Sequence, residues 1–350
     1  MKSQITSLSD PLWQDVLQKI RHDIYQLPEY IALEGNRSSG IPEAIIINEG
    51  ERIFFVPYLL SQYEEDVFDI KSPYGYPGIL LSEEAINSPD FVHKAWQEFR
   101  DILYQKGVCS VFLRMHPILN ENFEQLFPEN TFTPNGKTVS VDLRIPESEL
   151  WSHTRKGHKS TINKCKRLGM EAKFVPLLEY VDEFTEIYHE TMARVQATNV
   201  YYSFDRNYYR QMFEVLEDKL HLCVVEYEQE IACVGLYTEV CGIVQSTLGG
   251  TRDKFVPLSP GSLETDYVRY WAHRRGNNFL HLGGGIGGQE DHLFAYKAGF
   301  SKLQHSFMTV RLVVDEVIYS ELVEKRAKSL NVPADKLLSS GFFPAYRASI

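Results

Sequence analysis

Leu280-His281-Leu282-Gly283-Gly284-Gly285, followed by Asp291-His292-Leu293-Phe294-Ala295-Tyr296-Lys297-Ala298-Gly299-Phe300, is the stretch whose reading decides the fold. It spells a buried strand opening onto glycines, a short helix with an aromatic–lysine pair, and a glycine stop. Glycines at a strand end let backbone come close to a ligand, because no Cβ stands in the way. The helix behind them offers one ring and one ammonium at adjacent positions.

Outward from that stretch, the chain reads as a duplication. Leu222–Tyr227 and Ile231–Thr238 flank a Glu228-Gln229-Glu230 turn, Ile243–Leu248 adds a strand, and a helix over Ser262–His273 stops at Gly276. The strand Asn278–Leu282, the helix Asp291–Ala298 and the strand Phe307–Val314 follow. The first half has the same order. Ala44–Asn48 and Ile53–Leu60 surround Glu49-Gly50-Glu51, and a helix from Ala85 to Gln105 stops at Gly107. Then come the strand Val108–Leu113, a short helix near Asn120–Leu126 and the strand Thr138–Leu143. Where the second half has its glycine turn, the first has Arg114-Met115-His116-Pro117, so only the second reads as built around a ligand.

The bulk properties bound the answer. The 350 residues suffice for two domains, and 43% hydrophobic with 24% charged residues is globular composition. The polar start Met1–Asp10 and the five cysteines, none in a CxxC pair, predict a cytoplasmic protein with reduced thiols. No apolar run is long enough to span a membrane. A net charge of −11 argues against DNA binding. Against that background Trp151–Leu168 gathers Arg155, Lys156, Lys159, Lys164, Lys166 and Arg167 in one predicted helix. Asp69-Ile70-Lys71-Ser72-Pro73-Tyr74-Gly75-Tyr76-Pro77-Gly78 reads as a stiff loop presenting two tyrosines, suited to sugar or lipid head groups.

Other chemistries fit poorly. Gly283, Gly285 and Gly288 satisfy G-x-G-x-x-G, yet no acidic residue follows at the dinucleotide spacing. His281, Glu290, Asp291, His292 and His305 match no zinc signature, so no metal is expected. There is no G-x-S-x-G elbow and no P-loop. Ser259-Pro260-Gly261-Ser262 places amides at a helix start, an anion site that Arg252 and Lys254 would assist.

From Glu171 on, the order strand, two helices (Val181–Gln196, Asp205–Asp218), three antiparallel strands, helix, strand, helix, strand matches the GNAT acyltransferase fold. With the Tyr296-Lys297 pair, the glycine turn and the basic segment after Trp151, the chain resembles the Fem-like aminoacyltransferase and acetyltransferase family of that superfamily. Its Ser72–Gly78 loop and Phe343-Pro344-Ala345-Tyr346-Arg347 terminus resemble the polysaccharide-associated acetyltransferase branch. The resemblance implies an α/β protein with mixed sheets and tandem GNAT-like domains of the Fem type. These would be 1–148, 149–315 with the basic linking helix 151–168, and a docking tail 316–350.

It further implies that Ile243–Leu248 and Asn278–Leu282 diverge around an acyl donor. Lys297 would polarise the carbonyl and Tyr296 would protonate the leaving group; the base is left open between Glu264, Asp266 and an acceptor amine that is already neutral and needs none. Donor contacts would come from Gly249, Gly250, Arg252, Lys254, Ser259, Gly261, Ser262, Gly283 and Gly284. The chain lacks the Gln/Arg-x-x-Gly-x-Gly/Ala loop with which many GNAT enzymes hold pyrophosphate. Tyr74, Tyr76, Arg155, Lys159 and Lys164 would hold the acceptor in the cleft between the domains. The expected reaction moves an acyl group from acetyl-CoA or another acyl-CoA to an amine on a cell-envelope or polysaccharide precursor. The acceptor would be a small molecule or a nucleotide- or lipid-linked sugar, the latter with peripheral membrane contact. The alternatives are an aminoacyl-tRNA-dependent transferase and a non-catalytic glycolipid-binding module.

Overall fold

Gly50, at φ 62°, turns β2 (Ile41–Glu49), buried on both faces from Ala44 to Ile47, back on β3 (Arg52–Glu64), pairing Glu49 with Arg52 and Ile41 with Leu60. This hairpin founds the first of two units in the computed structural model, which describes residues 1–196 and 204–349. The first unit comprises Met1–Asn135 and Ser306–Ile350, the second Gly136–His305.

In the first unit β1 (Lys2–Ser7) pairs antiparallel with β2, preceding α1 (Pro11–Leu17) and α2 (Pro28–Ser38). β4 (Val67–Lys71) pairs antiparallel with β3, and β5 (Leu80–Leu81) adds a short pairing. The predicted helix Ala85–Gln105 is two helices, α3 (Glu83–Ile86) and α4 (Pro89–Gln105). Pro89 cannot continue α3 and instead starts α4 at its first turn. Phe91, Ala95, Trp96, Phe99 and Leu103 form the buried face of α4 against the sheet. β6 (Val108–Arg114) then lies parallel to β4.

The second unit contains β7 (Phe132–Asp142) from Gly136 on, α5 (Glu147–Leu150), α6 (Lys156–Arg167), β8 (Glu171–Val175), α7 (Leu177–Arg194) and α8 (Arg206–Leu216). It continues with β9 (Leu220–Tyr227), β10 (Glu230–Val240), β11 (Ile243–Thr251), α9 (Gly261–Arg274), β12 (Phe279–Gly284) and α10 (His292–Lys297). Its strand order is β7-β12-β11-β10-β9-β8. The predicted basic helix Trp151–Leu168 begins only at Lys156, as α6, because the chain turns from Trp151 to Thr154 after the short α5.

β13 (Gln304–Val313), α11 (Glu316–Leu330) and α12 (Ala334–Leu338) end the chain. The repeat in sequence makes Phe307–Val314 the closing strand of the second half, yet β13 pairs antiparallel with β6 in the first unit. Thr138–Leu143, closing strand of the first half, pairs as β7 with β12 in the second. Each half thus receives the other's last strand, and alternating strand patterns carry no label that would reveal the exchange. The tail packs on the first unit. Tyr346 shares a hydrogen bond of 2.7 Å with Ser110, and Arg347 ion-pairs with Asp69 over the ring of Tyr63.

The Ser72–Gly78 loop is pinned along its length. Tyr74 N–H donates to the buried Glu34 at 3.0 Å, and Tyr30 Oη donates to Tyr74 O at 3.0 Å. Gly78 N–H donates to Arg114 O at 2.9 Å. Everything in the loop is buried except Tyr74 and Tyr76, which are partly exposed. Gly75 has φ 95°, and a Cβ there would lie 2.0 Å from the ring of Tyr25. Gly75→Ala is therefore expected to cost about 3 kcal/mol in a denaturant titration, and an unchanged midpoint would show that the loop is not so fixed.

Candidate functional site

β11 and β12 run parallel but pair only from Ile243 opposite Phe279 to Gln245 opposite His281. Beyond that rung β11 continues to Thr251 and β12 to Gly284, each bonded only on its outer edge, to β10 and β7. Their inner edges turn backbone N–H and C=O groups into the gap, where such groups need partners. Gln245 sits in the fork: its Nε2 donates to Ser246 O at 2.9 Å and to His281 O at 3.5 Å, while its Oε1 meets His281 Nδ1.

α10 is set at the end of this gap by Asp291, which accepts from Phe294 N at 2.9 Å and Ile286 N at 3.0 Å. Adjacent residues on a helix point about 100° apart, so Tyr296 and Lys297 reach different places. Lys297 Nζ donates to Gly284 O at 2.6 Å, at the end of β12. Burial brings its ammonium down to about 8, with Asp291 opposing. The Tyr296 hydroxyl points to the start of α9, 3.4 Å from Thr265 Oγ1. Burial raises the phenol far above its ordinary value, so the proton stays on.

Glu264, on the first turn of α9, is buried beside that phenol. It accepts from Tyr237 Oη at 2.9 Å and from Cys233 Sγ at 3.2 Å. Gly235 makes its place, because a Cβ at 235 would fall 1.6 Å from Glu264 Oε1. Burial outweighs the two hydrogen bonds and pushes the carboxyl up to about 7. Asp266 is committed elsewhere, to Arg269 and to Lys166 at 2.9 Å.

The second unit therefore gathers Lys297, Tyr296, Glu264, Gly261, Ser262 and Gly284 around α9, α10 and the end of β12. Tyr74 and Tyr76 belong to the first unit. The expected anion site is occupied by the protein itself. Arg252 pairs with Glu183 and Glu186 at 3.4 Å and Glu190 at 3.9 Å, because these acids line one face of α7. Lys254 pairs with Glu230. The amides of Ser262, Leu263 and Glu264 close onto the carbonyls of Ser259 and Pro260. Gly250 serves packing, since a Cβ there would meet Ile187 O and Thr191 Oγ1 of α7 at 2.7 Å, and one on Gly249 would meet Val234 O at 2.9 Å. Gly283, at φ 75°, lies at a bulge against β7, and Gly284 abuts Lys137 O.

The basic segment is tied to α10. His158 Nε2 donates to Tyr296 O at 2.8 Å, Arg155 N to Gly299 O at 2.8 Å, and the imidazole lies against Phe300. Gly299 is needed, as its Cβ would come within 2.4 Å of that ring. Lys159 and Lys166 stand over Trp151. Lys156, Lys164 and Arg167 are exposed and have no ion pair among the described residues.

Residues 138–231, from within β7 to the start of β10, match the FemAB family. The chain superposes on FemX with a TM-score of 0.72, over 92% of this chain and 99% of that one at 9% identity. The fold is that of FemX, and the segment 138–231 is similar to the FemAB family. The C-terminal DUF2156 domain of a putative lysylphosphatidylglycerol synthetase from Agrobacterium fabrum is similar at TM-score 0.55 and 14% identity, over 94% of this chain and 96% of that one. L-PGS from Bacillus licheniformis follows at 0.53 and 14%, over 92% and 99%. No curated protein matches the sequence. Identities this low establish the fold; with the family match they support a transferase of acyl or aminoacyl groups of the Fem type.

Sequence reasoning missed several residues of this site: Gln245, Tyr237, Cys233 and His158. Gln245 and His158 could have been noticed as polar residues at inward positions of a strand and a helix. Tyr237 and Cys233 look like ordinary core.

Glu264 makes a testable demand on stability. Its folded-state value of about 7 lies above the ordinary 4.5, so between those values the folded protein holds a proton that the unfolded chain has lost. Stability must then fall as pH rises through that window, by on the order of 3 kcal/mol. Glu264→Gln is expected to flatten the decline between pH 5 and 8 in denaturation curves; equal slopes in both proteins would refute the buried-carboxyl account.

Proposed function

We propose that the second unit transfers an acyl group from acetyl-CoA or another acyl-CoA to an amine on a cell-envelope or polysaccharide precursor. The observation that carries acyl transfer is the fork of β11 and β12, with Lys297 at the end of β12 and Tyr296 against α9. A donor carbonyl in the fork would meet backbone N–H groups from the inner strand edges. The Lys297 ammonium would stabilise the oxyanion formed on attack, and a water-poor site strengthens that effect. As the tetrahedral intermediate collapses, the C–S bond breaks and the Tyr296 hydroxyl donates a hydrogen bond to the departing sulfur. The tyrosine loop's resemblance to acetyltransferases favours acetyl-CoA as donor. Arg155, Lys159 and Lys164 are suited to the phosphates of a nucleotide- or lipid-linked acceptor.

Two observations favour a second reading, an aminoacyl ester as donor. Arg252 and Lys254 are already paired with carboxylates, which leaves no evident cation for a pyrophosphate. Tyr296, with its raised pKa, is a weak acid that a thiolate leaving group near 8.5 gains little from. An alkoxide leaving an ester does need its proton.

Calorimetric titration with acetyl-CoA, desulfo-CoA and free CoA separates the two. Binding in the micromolar range with thiol release supports the thioester; no heat, together with protein-dependent deacylation of aminoacyl-tRNA, supports the ester. For either donor, Lys297→Met is expected to lower kcat by about 10²–10³-fold while donor affinity stays within a few-fold. Wild-type turnover should decline as pH passes about 8, where Lys297 loses its charge. Undiminished turnover in Lys297→Met would turn the reading toward a binding module without catalysis.

A further inference from the structure

α6 runs along the α9 side of the second unit from one turn to another. Its buried residues His158, Ile162 and Cys165 face inward, the last two in one cluster with Leu263 of α9 and Phe294 of α10. At its start Arg155 N–H donates to Gly299 O, just past α10. Toward its end Cys165 Sγ lies 3.4 Å from Leu258 O, in the turn before α9. The helix between is about 18 Å long. Four apolar side chains stand exposed at its two ends. Ile286 (56%) and Leu293 (42%) belong to the turn before α10 and its first residues. Leu168 (39%) caps α6, and Val256 (38%) lies in the turn before α9.

Between these ends the outward face is cationic. Arg155, Lys156, Lys164 and Arg167 are exposed and have no ion pair among the described residues. Acids in the turns at either end are committed: Glu290 to Lys137 at 2.9 Å, Asp291 to the amides of Ile286 and Phe294, and Asp253 to Arg194. Lys159 and Lys166 hold their ammonium groups 5.8 Å from the centre of the partly exposed Trp151 ring. An indole with lysines over it suits a boundary between water and hydrocarbon, where the apolar bodies are covered and the polar tips stay wet. A soluble phosphate ligand would engage the cations and leave all four apolar side chains in water. An anionic lipid surface takes up both: head groups meet the cations, and the acyl boundary receives the apolar side chains.

We propose that α6 and the turns at its ends dock the second unit onto an anionic lipid surface, so that the acceptor is met in its lipid-linked form. The docking rests on this surface alone; the choice of a lipid-linked over a nucleotide-linked acceptor rests on the transfer reading above. Because Arg155 and His158 bond α6 to α10, a lipid surface held by the helix lies beside the element that carries Tyr296 and Lys297. The phosphates of a lipid-linked acceptor stay at the level of the head groups, within the same basic face.

Sedimentation of the full chain with phosphatidylglycerol-rich vesicles, against vesicles of phosphatidylcholine alone, tests the docking. Binding to the anionic vesicles is expected, weakening as salt is raised; no binding, or equal binding to both, overturns it. Lys156→Gln and Arg167→Gln are each expected to weaken binding about fivefold. Ile286→Ser combined with Leu293→Ser is expected to remove the part of the binding that survives high salt. All four side chains are exposed, so these variants should melt as the wild type does. Wild-type binding by the charge variants overturns the role of α6, and wild-type binding by the serine variant overturns that of the turns. With a lipid-linked acceptor in vesicles, Lys156→Gln with Arg167→Gln should raise the acceptor KM and leave kcat unchanged. A soluble nucleotide-linked acceptor turned over as fast without vesicles overturns the lipid-linked choice. Vesicle binding with no turnover of any acceptor is a separate result: it overturns the transfer reading and leaves the docking standing.

Discussion

Two parallel strands that pair over three residues and then part must leave backbone polar groups without strand partners, and the second unit is organised around that deficit. Gln245 makes the parting tolerable. Its side-chain amide takes up carbonyls of both strands at the fork, a rung built from a side chain. The first half of the repeat shows the alternative. There β4 and β6 pair from Phe68 to Lys71, Ser72 N–H continues the ladder to Phe112 O at 2.9 Å, and Ser72 Oγ takes Arg114 N–H. The tyrosine loop then returns to bond Arg114 O through Gly78. One copy closes its fork with a pinned loop; the other leaves it open.

Charge is placed around the open fork at evident cost. Glu264 and Lys297 are both shifted toward neutrality by burial, in opposite senses, and no ion pair joins them. A structure selected for stability alone would replace them with apolar groups of similar volume. Two glycines are fitted to these side chains and their neighbours. Gly235 makes space for the Glu264 carboxyl, and Gly299 for the His158 ring that holds Tyr296 through its carbonyl. Side chains have been removed where functional groups must fit, a pattern more specific than the glycines at the strand end that first drew notice.

Much of this was legible because it is local. The Gly50 turn, the α4 stripe from Phe91 to Leu103, and the strand–turn–helix from Leu280 to Gly299 are short-range patterns, and they fold as read. What failed to show is long-range. The exchange of β7 and β13 depends on pairing partners more than a hundred residues away. Arg252 and Lys254 looked available for phosphate because their partners, Glu183, Glu186, Glu190 and Glu230, lie on other elements. The spacing of the three α7 acids was visible, but nothing local says which cation they face.

That pairing of cations also sharpens what the basic helix means. In a chain of net charge −11, acids hold Arg194, Arg206, Arg252, Lys254, Arg274 and Arg275 in the second unit. Residues 151–170 contain no Asp or Glu, and Lys156, Lys164 and Arg167 stay exposed on α6. The local field there is set by contrast: where other cations are neutralised within a few ångströms, a helix that keeps its charge is where an anion concentrates. The same helix holds α10 through His158 and Arg155. An anionic group drawn to α6 would therefore arrive at the element that also fixes the position of Tyr296.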